Sequence, residues 1–208
     1  VEDFDELLDT TLALSCVPLP AGKGVAIITN SGGFSVVETD LCVKAGLEVP
    51  QFTKETIAEL RKMVPVAGTS INNPLDAWPI YYNTTGTAGT LADAIKTVSH
   101  DESIHAIALH FDEVRYLRHV FGEATEGFLK ELVKIMIQGC KYARDEMGKT
   151  VVICVSLDAY SDDEKDREYH LLAKRAFESE QFPVYPALGA SIKALSNLYR
   201  YKARCRNP

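Results

Sequence analysis

Thr29-Asn30-Ser31-Gly32-Gly33-Phe34 is the stretch from which the architecture follows. An apolar run, Gly24-Val25-Ala26-Ile27-Ile28, leads into it and reads as a buried strand. Val36, Val37, Leu41 and Ala45 follow it on one helical stripe. A strand that turns through glycines into a helix leaves backbone N–H groups at the positive end of a helix dipole. That arrangement suits a phosphate or a carboxylate. It is neither G-x-G-x-x-G nor a P-loop, since no Gly-Lys-Ser/Thr follows. The same glycines also serve a strand-to-helix turn that needs only backbone freedom.

Working outward, strands and helices alternate. Upstream, Phe4, Leu7, Leu8, Leu12 and Leu14 give a helix over 2–15, and Pro18 to Gly24 breaks the chain. Downstream, a helix over 33–45 ends at Gly46, a left-handed cap. An extended piece covers 48–52, and a helix runs from Thr53 to Met63 and stops at Pro65. A short strand over 69–75 ends in the loop Asn73-Pro74-Leu75-Asp76-Ala77-Trp78-Pro79. A helix over 87–99, a strand over 104–111 and a helical region over 122–147 closed by Gly148 follow. The chain finishes with a strand over 151–155, a helix from Asp162 to Glu180, a strand at 184–185 and a helix over 191–201. The strands are continuously apolar, as expected when both faces of a sheet are covered. The expected fold is a three-layer α/β domain, flavodoxin-like or Rossmann-like, with a mostly parallel sheet of five or six strands. Residues 1–22 read as a linker helix and connector, and 23–208 as the domain. The start at Val1, with no Met and a linker helix before the first strand, reads as a piece of a longer protein.

The composition is that of an ordinary globular domain, 46% hydrophobic and 25% charged. With 22 basic and 29 acidic side chains the net charge is −7, which argues against a general nucleic-acid surface. No apolar run reaches the length of a membrane span, and no signal peptide is expected. Five cysteines, none in C-x-x-C spacing, read as reduced residues of a cytoplasmic protein, three of them within apolar segments. No His/Cys cluster has zinc spacing, so no metal site is expected.

In parallel sheets ligands lie beyond the carboxyl ends of the strands. The segments there are 30–34, 73–78, 110–113 and 156–158. His110 could line an acyl pocket, act as an acid or base, or simply cap a strand end. Asn73 and Asp76 could order their loop through Asx turns or face the crevice. Trp78, Tyr81 and Tyr82 suit a ligand wall or a subunit contact. Ser31 lacks the G-x-S-x-G elbow of a nucleophile.

Gly24-Val-Ala-Ile-Ile-Thr-Asn-Ser-Gly-Gly-Phe-Ser-Val-Val-Glu-Thr-Asp40 resembles the strand–turn–helix of NDP-forming acyl-CoA synthetases, which include the ADP-forming acetyl-CoA synthetases. Asn73-Pro74-Leu75-Asp76 is similar to the N-P-x-D of that family, and the similarity extends from the lead-in helix to residues 183–201. The resemblance implies a flavodoxin-like CoA-ligase domain. The family joins an acid to CoA while splitting ATP or GTP to NDP and phosphate, through a phosphohistidine cradled by two helix N-termini. It implies phosphate binding at Asn30, Ser31, Gly32, Gly33 and Phe34, and a substrate pocket bordered by Asn73, Asp76, Trp78, His110 and Phe111. It also implies partners: a CoA-binding domain, a phosphohistidine domain, an ATP-grasp domain and a small carboxylic acid or acyl phosphate, in an oligomeric complete enzyme. CoA, ATP or ADP and Mg would belong to that enzyme, with no cofactor held by this domain alone. The Ser-His-Thr-Gly-like phosphohistidine stretch is absent here, so no catalytic residue is expected in this chain. Phe34 and Ser35 stand where Pro and Gly are usual. Related domains fused to protein acetyltransferases give the alternative, a regulatory module without catalysis.

Overall fold

The computed structural model describes residues 1–64, 70–76, 78–84, 89–112, 114–156 and 163–206. The elements in chain order are α1 (Phe4–Cys16), β1 (Val25–Thr29), α2 (Gly32–Lys44), α3 (Lys54–Met63), β2 (Leu75–Asp76), the single turn α4 (Trp78–Tyr81), α5 (Leu91–Ser99), β3 (Ala106–Phe111), α6 (Val114–Phe121), α7 (Thr125–Lys141), β4 (Thr150–Val155), α8 (Glu164–Ser179), β5 (Val184–Tyr185) and α9 (Leu188–Arg206). The five strands form one sheet in the order β2-β1-β3-β4-β5, and every pairing is parallel. This is the flavodoxin-like order, with its switch point between β1 and β3.

The apolar strands are explained by what covers them. Residues alternate across a sheet, so each strand feeds two layers. Ala26, Ile28, Ile107, Leu109, Val151 and Ile153 pack with Leu60, Ile95, Leu132, Met136 and Phe177, from α3, α5, α7 and α8. Val25, Ile27, Ala106, Ala108 and Val152 pack with Ala13, Cys42, Ile192, Leu195 and Leu198, from α1, α2 and α9. β1, β3 and β4 are buried along their whole length. Gly24 is dictated by close approach, because a Cβ there would lie 2.0 Å from the Ser103 carbonyl oxygen. Gly46, just past the C-cap of α2, has φ +81°, as a left-handed helix stop requires.

Several details depart from the sequence expectations. The strand expected over 69–75 is only Leu75–Asp76; Thr69 lies outside the described residues, as do Pro65, Thr87, Glu113, Asp158 and Asp162. Ser70 and Asp76 exchange two backbone hydrogen bonds in an antiparallel bridge, so the chain before Leu75 folds back instead of running along β1. α5 starts at Leu91, where Thr90 and Asp93 form a reciprocal capping box. α6 was not expected. It is eight residues long, and only Val114 and Leu117 of its residues are buried, too short a stripe to read beside Arg115, Arg118 and His119. Tertiary contacts hold it: Leu117 joins the core, and Arg118 pairs with Asp163 and with Asp166 on α8.

α1 packs with its polar side inward. Glu6, Thr10 and Ala13 are buried, whereas Phe4, Leu7, Leu8, Leu12 and Leu14 are exposed. The Glu6 carboxylate accepts hydrogen bonds from Asn197 Nδ2 (2.6 Å) and the Glu2 N–H (2.7 Å), and lies 3.0 Å from Lys193 Nζ. Asn197 first, then the Glu2 amide and Lys193, hold that carboxyl down to about 2. No helix among the described residues is long and apolar enough to cross a membrane.

Candidate functional site at the carboxyl edge of the sheet

The carboxyl ends of β1 and β3 meet at the switch point, and the Asn30-to-Phe34 turn stands on it. Ser31 is the N-cap of α2, with extended backbone (φ −137°, ψ 122°), and no side chain caps the helix. The first intrahelical bond runs from the Ser35 N–H to the Ser31 carbonyl at 3.0 Å. The N–H groups of Gly32, Gly33 and Phe34 therefore precede the helical ladder, and both glycines are exposed. The Asn30 side chain is spent on structure: its Nδ2 donates to the Tyr82 hydroxyl at 2.7 Å, tying the turn to the segment after α4. The donors presented to a ligand are thus backbone groups at a helix N-terminus.

Asp76 stands beside them. A Cβ built on Gly32 would lie 3.6 Å from Asp76 Oδ2, so the carboxyl abuts the start of α2. Burial pushes the Asp76 carboxyl up, against a smaller opposing effect of the Trp78 backbone N–H. Its Oδ1 is buried with no hydrogen-bond partner among the described residues. Asn73 has a different task. Its Oδ1 accepts from the Ile27 N–H (3.0 Å), and its Nδ2 donates to the carbonyls of Val25 (2.7 Å) and Pro50 (2.9 Å). It is 3% exposed and supplies by side chain the β1 hydrogen bonds that a longer β2 would have made. The Asn73–Pro74 peptide is cis.

The residue that sequence reasoning missed is Glu38. It lies on the inner side of α2 and is 1% exposed. Its Oε1 is 3.4 Å from His110 Nδ1, while Oε2 has no hydrogen-bond partner among the described residues. His110, also 1% exposed, has its Nε2 2.7 Å from the Ser156 hydroxyl, and the Phe34 and His110 rings meet edge to face at 4.5 Å. Burial pushes the Glu38 carboxyl from 4.5 up to about 8 and the His110 imidazole from 6.5 down to about 4. At neutral pH both are uncharged. A line of polar side chains, Glu38–His110–Ser156, thus runs from the interior to the carboxyl edge beneath the Phe34 end of the turn. The signal for Glu38 in the sequence was an acidic residue at a position one helical turn before Cys42, on the buried side of α2.

Glu38 makes stability depend on pH with a definite sign. Its folded pKa is raised, so the folded state binds the extra proton between pH 4.5 and 8, and stability falls as pH rises through that window. His110, whose folded pKa is lowered, acts oppositely between pH 4 and 6.5. Of these two groups, only Glu38 contributes above pH 6.5. The expected result is a loss of about 2 kcal/mol between pH 6.5 and 8, from 1.36 kcal/mol per pKa unit. Urea unfolding at both pH values should show that loss, and Glu38→Gln should remove it. A slope that is unchanged in Glu38→Gln would exclude Glu38 as the source.

Of the residues named from the sequence, the structure brings together Ser31, Gly32, Gly33, Phe34, Asp76 and His110. Trp78 is 47% exposed, on α4. Phe111, expected at the substrate pocket, is fully buried in the core between the sheet and α7, because it points to the opposite face from His110. Sequence position placed both at the end of one strand; the alternation of the pleat separates them.

No family model matches the chain. Over nearly its whole length it is homologous to ADP-forming acetate–CoA ligases. It is 30% identical over 206 residues to acetate–CoA ligase [ADP-forming] II of Archaeoglobus fulgidus, which covers 98% of this chain and 26% of that ligase. It is 29% identical over 205 residues to the alpha subunit of acetate–CoA ligase [ADP-forming] I of Pyrococcus furiosus, covering 94% of this chain and 36% of that subunit. The chain therefore spans between a quarter and two fifths of these relatives. Among solved structures, a protein of Pyrococcus horikoshii OT3 superposes with a TM-score of 0.75 at 23% identity, over 98% of this chain and 41% of that one. Dinucleotide-forming acetyl-coenzyme A synthetase 1 of Candidatus Korarchaeum cryptofilum, in complex with phosphate and ADP, superposes with a TM-score of 0.67 at 21% identity, over 99% of this chain and 38% of that one. These two establish the likeness of fold.

Proposed function

We propose that this chain is the ligase-type domain of an ADP-forming acyl-CoA synthetase, and that its α2 N-terminus stabilises a phosphoryl group in transit. The homology to ADP-forming acetate–CoA ligases supports the reaction class: acid, CoA and a nucleoside triphosphate give acyl-CoA, nucleoside diphosphate and phosphate. The observation that carries the reading is the uncapped, glycine-exposed start of α2 at the β1/β3 switch point. Phosphoryl transfer asks a protein mainly for positioning and charge stabilisation, which backbone N–H groups at a helix N-terminus supply. In this reading the N–H groups of Gly32, Gly33 and Phe34 donate to phosphoryl oxygens. Asn30, through Tyr82, holds the turn in place, and Phe34 with His110 walls its inner side. The phosphorylated histidine, CoA and the nucleotide reside in other domains or subunits. Asp76 sets the charge at the cradle's edge, where an ionised carboxylate repels a doubly charged phosphate and a protonated one donates to it.

The test is a titration of the chain with inorganic phosphate, followed by backbone amide shifts. The amides of Gly32, Gly33 and Phe34 are expected to move first. Asp76→Asn removes a like charge at the rim, so phosphate should bind about fivefold more tightly at pH 7.5, as expected of like charges a few ångströms apart and screened as in bulk water. Phosphate that leaves those three amides unmoved in both proteins would refute the cradle.

A further inference from the structure

α1 is clamped to the domain by its polar side. Asn197 on α9 donates to both Glu6 (2.6 Å) and Thr10 (3.0 Å), and Lys193 Nζ lies 3.1 Å from Glu2 and 3.0 Å from Glu6. The Tyr185 hydroxyl donates to the Asp9 carbonyl at 2.9 Å. These contacts fix the helix about its axis and leave its apolar side outward. Phe4 is 69% exposed and Leu8 52%, with Leu7, Leu12 and Leu14 also exposed. At 100° per residue the five fall within an arc of about 160°, which Thr11 and Ser15 share and no charged side chain enters. The Thr11 hydroxyl donates to the Leu7 carbonyl and the Ser15 hydroxyl to the Leu12 carbonyl, each at 2.8 Å, so both stay satisfied when water leaves the arc. A single aromatic side chain offers about 150–250 Å², so the five together reach the several hundred Å² that mark a protein–protein contact.

We propose that a second copy of this chain covers the face, in a two-fold dimer whose α1 helices pack antiparallel. Charge selects that occupant and that direction. Glu2 and Glu6 meet Lys193, and Glu6 and Thr10 meet Asn197, so α1 and α9 run side by side in the same direction. Arg204, seven positions past Asn197, falls on the same side of α9 and is level with Ser15, at the far end of α1. It is exposed, as are Asp3 and Asp5 at the near end, and α1 carries no basic side chain. The apolar face is therefore acidic at one end and basic at the other. A two-fold contact is self-complementary only if each end meets its opposite. Antiparallel packing through Leu8 and Thr11 does this, bringing Asp5 of each copy opposite Arg204 of the other, and it also opposes the helix dipoles. A lipid surface fits less well, because helices that lie on membranes carry Lys or Arg on their polar side. A contact of this size belongs to the weak class, below about 1,200 Å² in total, so the dissociation constant should be on the order of tens of micromolar. The inference does not rest on the phosphoryl cradle at α2.

The experiment is sedimentation equilibrium of the 208-residue chain up to about 500 µM, a concentration well above the constant expected of a weak contact. Wild type should pass from monomer to dimer across that range. Leu8→Glu, at the centre of the arc, should weaken the dimer more than about tenfold. Its thermal unfolding should stay level, because Leu8 is already 52% exposed in the monomer. Asp5→Lys and Arg204→Glu should each weaken the dimer about fivefold, since two exposed ion pairs are lost per dimer, and the double variant should restore it. A chain that remains monomeric throughout would overturn the proposal and leave the face to a different protein or domain. A dimer that is indifferent to Leu8→Glu, or that the double charge reversal does not restore, would overturn it as well. Sedimentation of the monomer with phosphatidylcholine vesicles, lost in Leu8→Glu, would overturn it in favour of lipid.

Discussion

Gly33→Asp is expected to abolish acyl-CoA formation in a complete enzyme carrying this domain while leaving the domain folded. A Cβ at position 33 meets only Ser31 Oγ, at 3.8 Å, so the site accepts a side chain without strain. Gly33 lies in the first turn of α2, where a carboxylate is favourable to the helix by about 0.3–1 kcal/mol. Thermal unfolding should therefore stay level or rise slightly. The chemistry responds in the opposite direction. A fixed negative charge about 4 Å from a phosphoryl group, near a protein surface, costs about 4 kcal/mol. That corresponds to a loss of roughly a thousandfold in rate. Gly33→Ala separates shape from charge and should retain most of the activity, and Gly33→Asn should lie between the two. Wild-type turnover in Gly33→Asp would remove the α2 N-terminus from the reaction.

Asn73→Ala should be the most destabilising single change near the site, by about 3–5 kcal/mol. Three hydrogen bonds are lost, and the groups left behind, the Ile27 N–H and the Val25 carbonyl, are buried in β1. Each buried group left unsatisfied costs about 1–3 kcal/mol. Asn73→Asp tests donor against acceptor. Its carboxylate still accepts from Ile27 but cannot donate to Val25 or Pro50, so it too should destabilise, and more at pH 7 than at pH 5. Urea midpoints with unchanged m-values are the measurement, and a loss below about 1 kcal/mol in Asn73→Ala would show that the backbone closes the gap unaided. Because Asn73 anchors the chain immediately before Leu75 and Asp76, Asn73→Ala should also weaken phosphate binding at α2.

The strand–glycine–helix turn could be read from the sequence because each of its signals is local. A continuous apolar run, two glycines and a 3.6-residue stripe lie within about twenty positions, and the same logic located β3, β4, α3 and α8. Asn73 and Asp76 could be noticed but not assigned. Their roles depend on partners at Ile27, Val25 and Pro50 and at Gly32, which lie 23 to 48 residues away and which only chain folding brings near. Trp78, Phe111 and His110 show the remaining limit. All three lie close to predicted ligand loops, yet one is solvent-exposed, one is in the core and one is a buried partner of Glu38.

The sequence by itself determined that a parallel α/β sheet exists, and that its first turn is a glycine-lined helix start, since apolar periodicity and glycine placement act over a few residues. Only the tertiary structure decided what surrounds that turn. α2 carries Glu38 inward against His110, where burial neutralises both, and the fold-back through Ser70 sets the Asp76 carboxyl beside Gly32. The physical reason is that charge state and hydrogen-bond pairing are set by burial and by neighbours distant in sequence. The opening turn therefore presents backbone donors whose surroundings are set by side chains far from it in sequence.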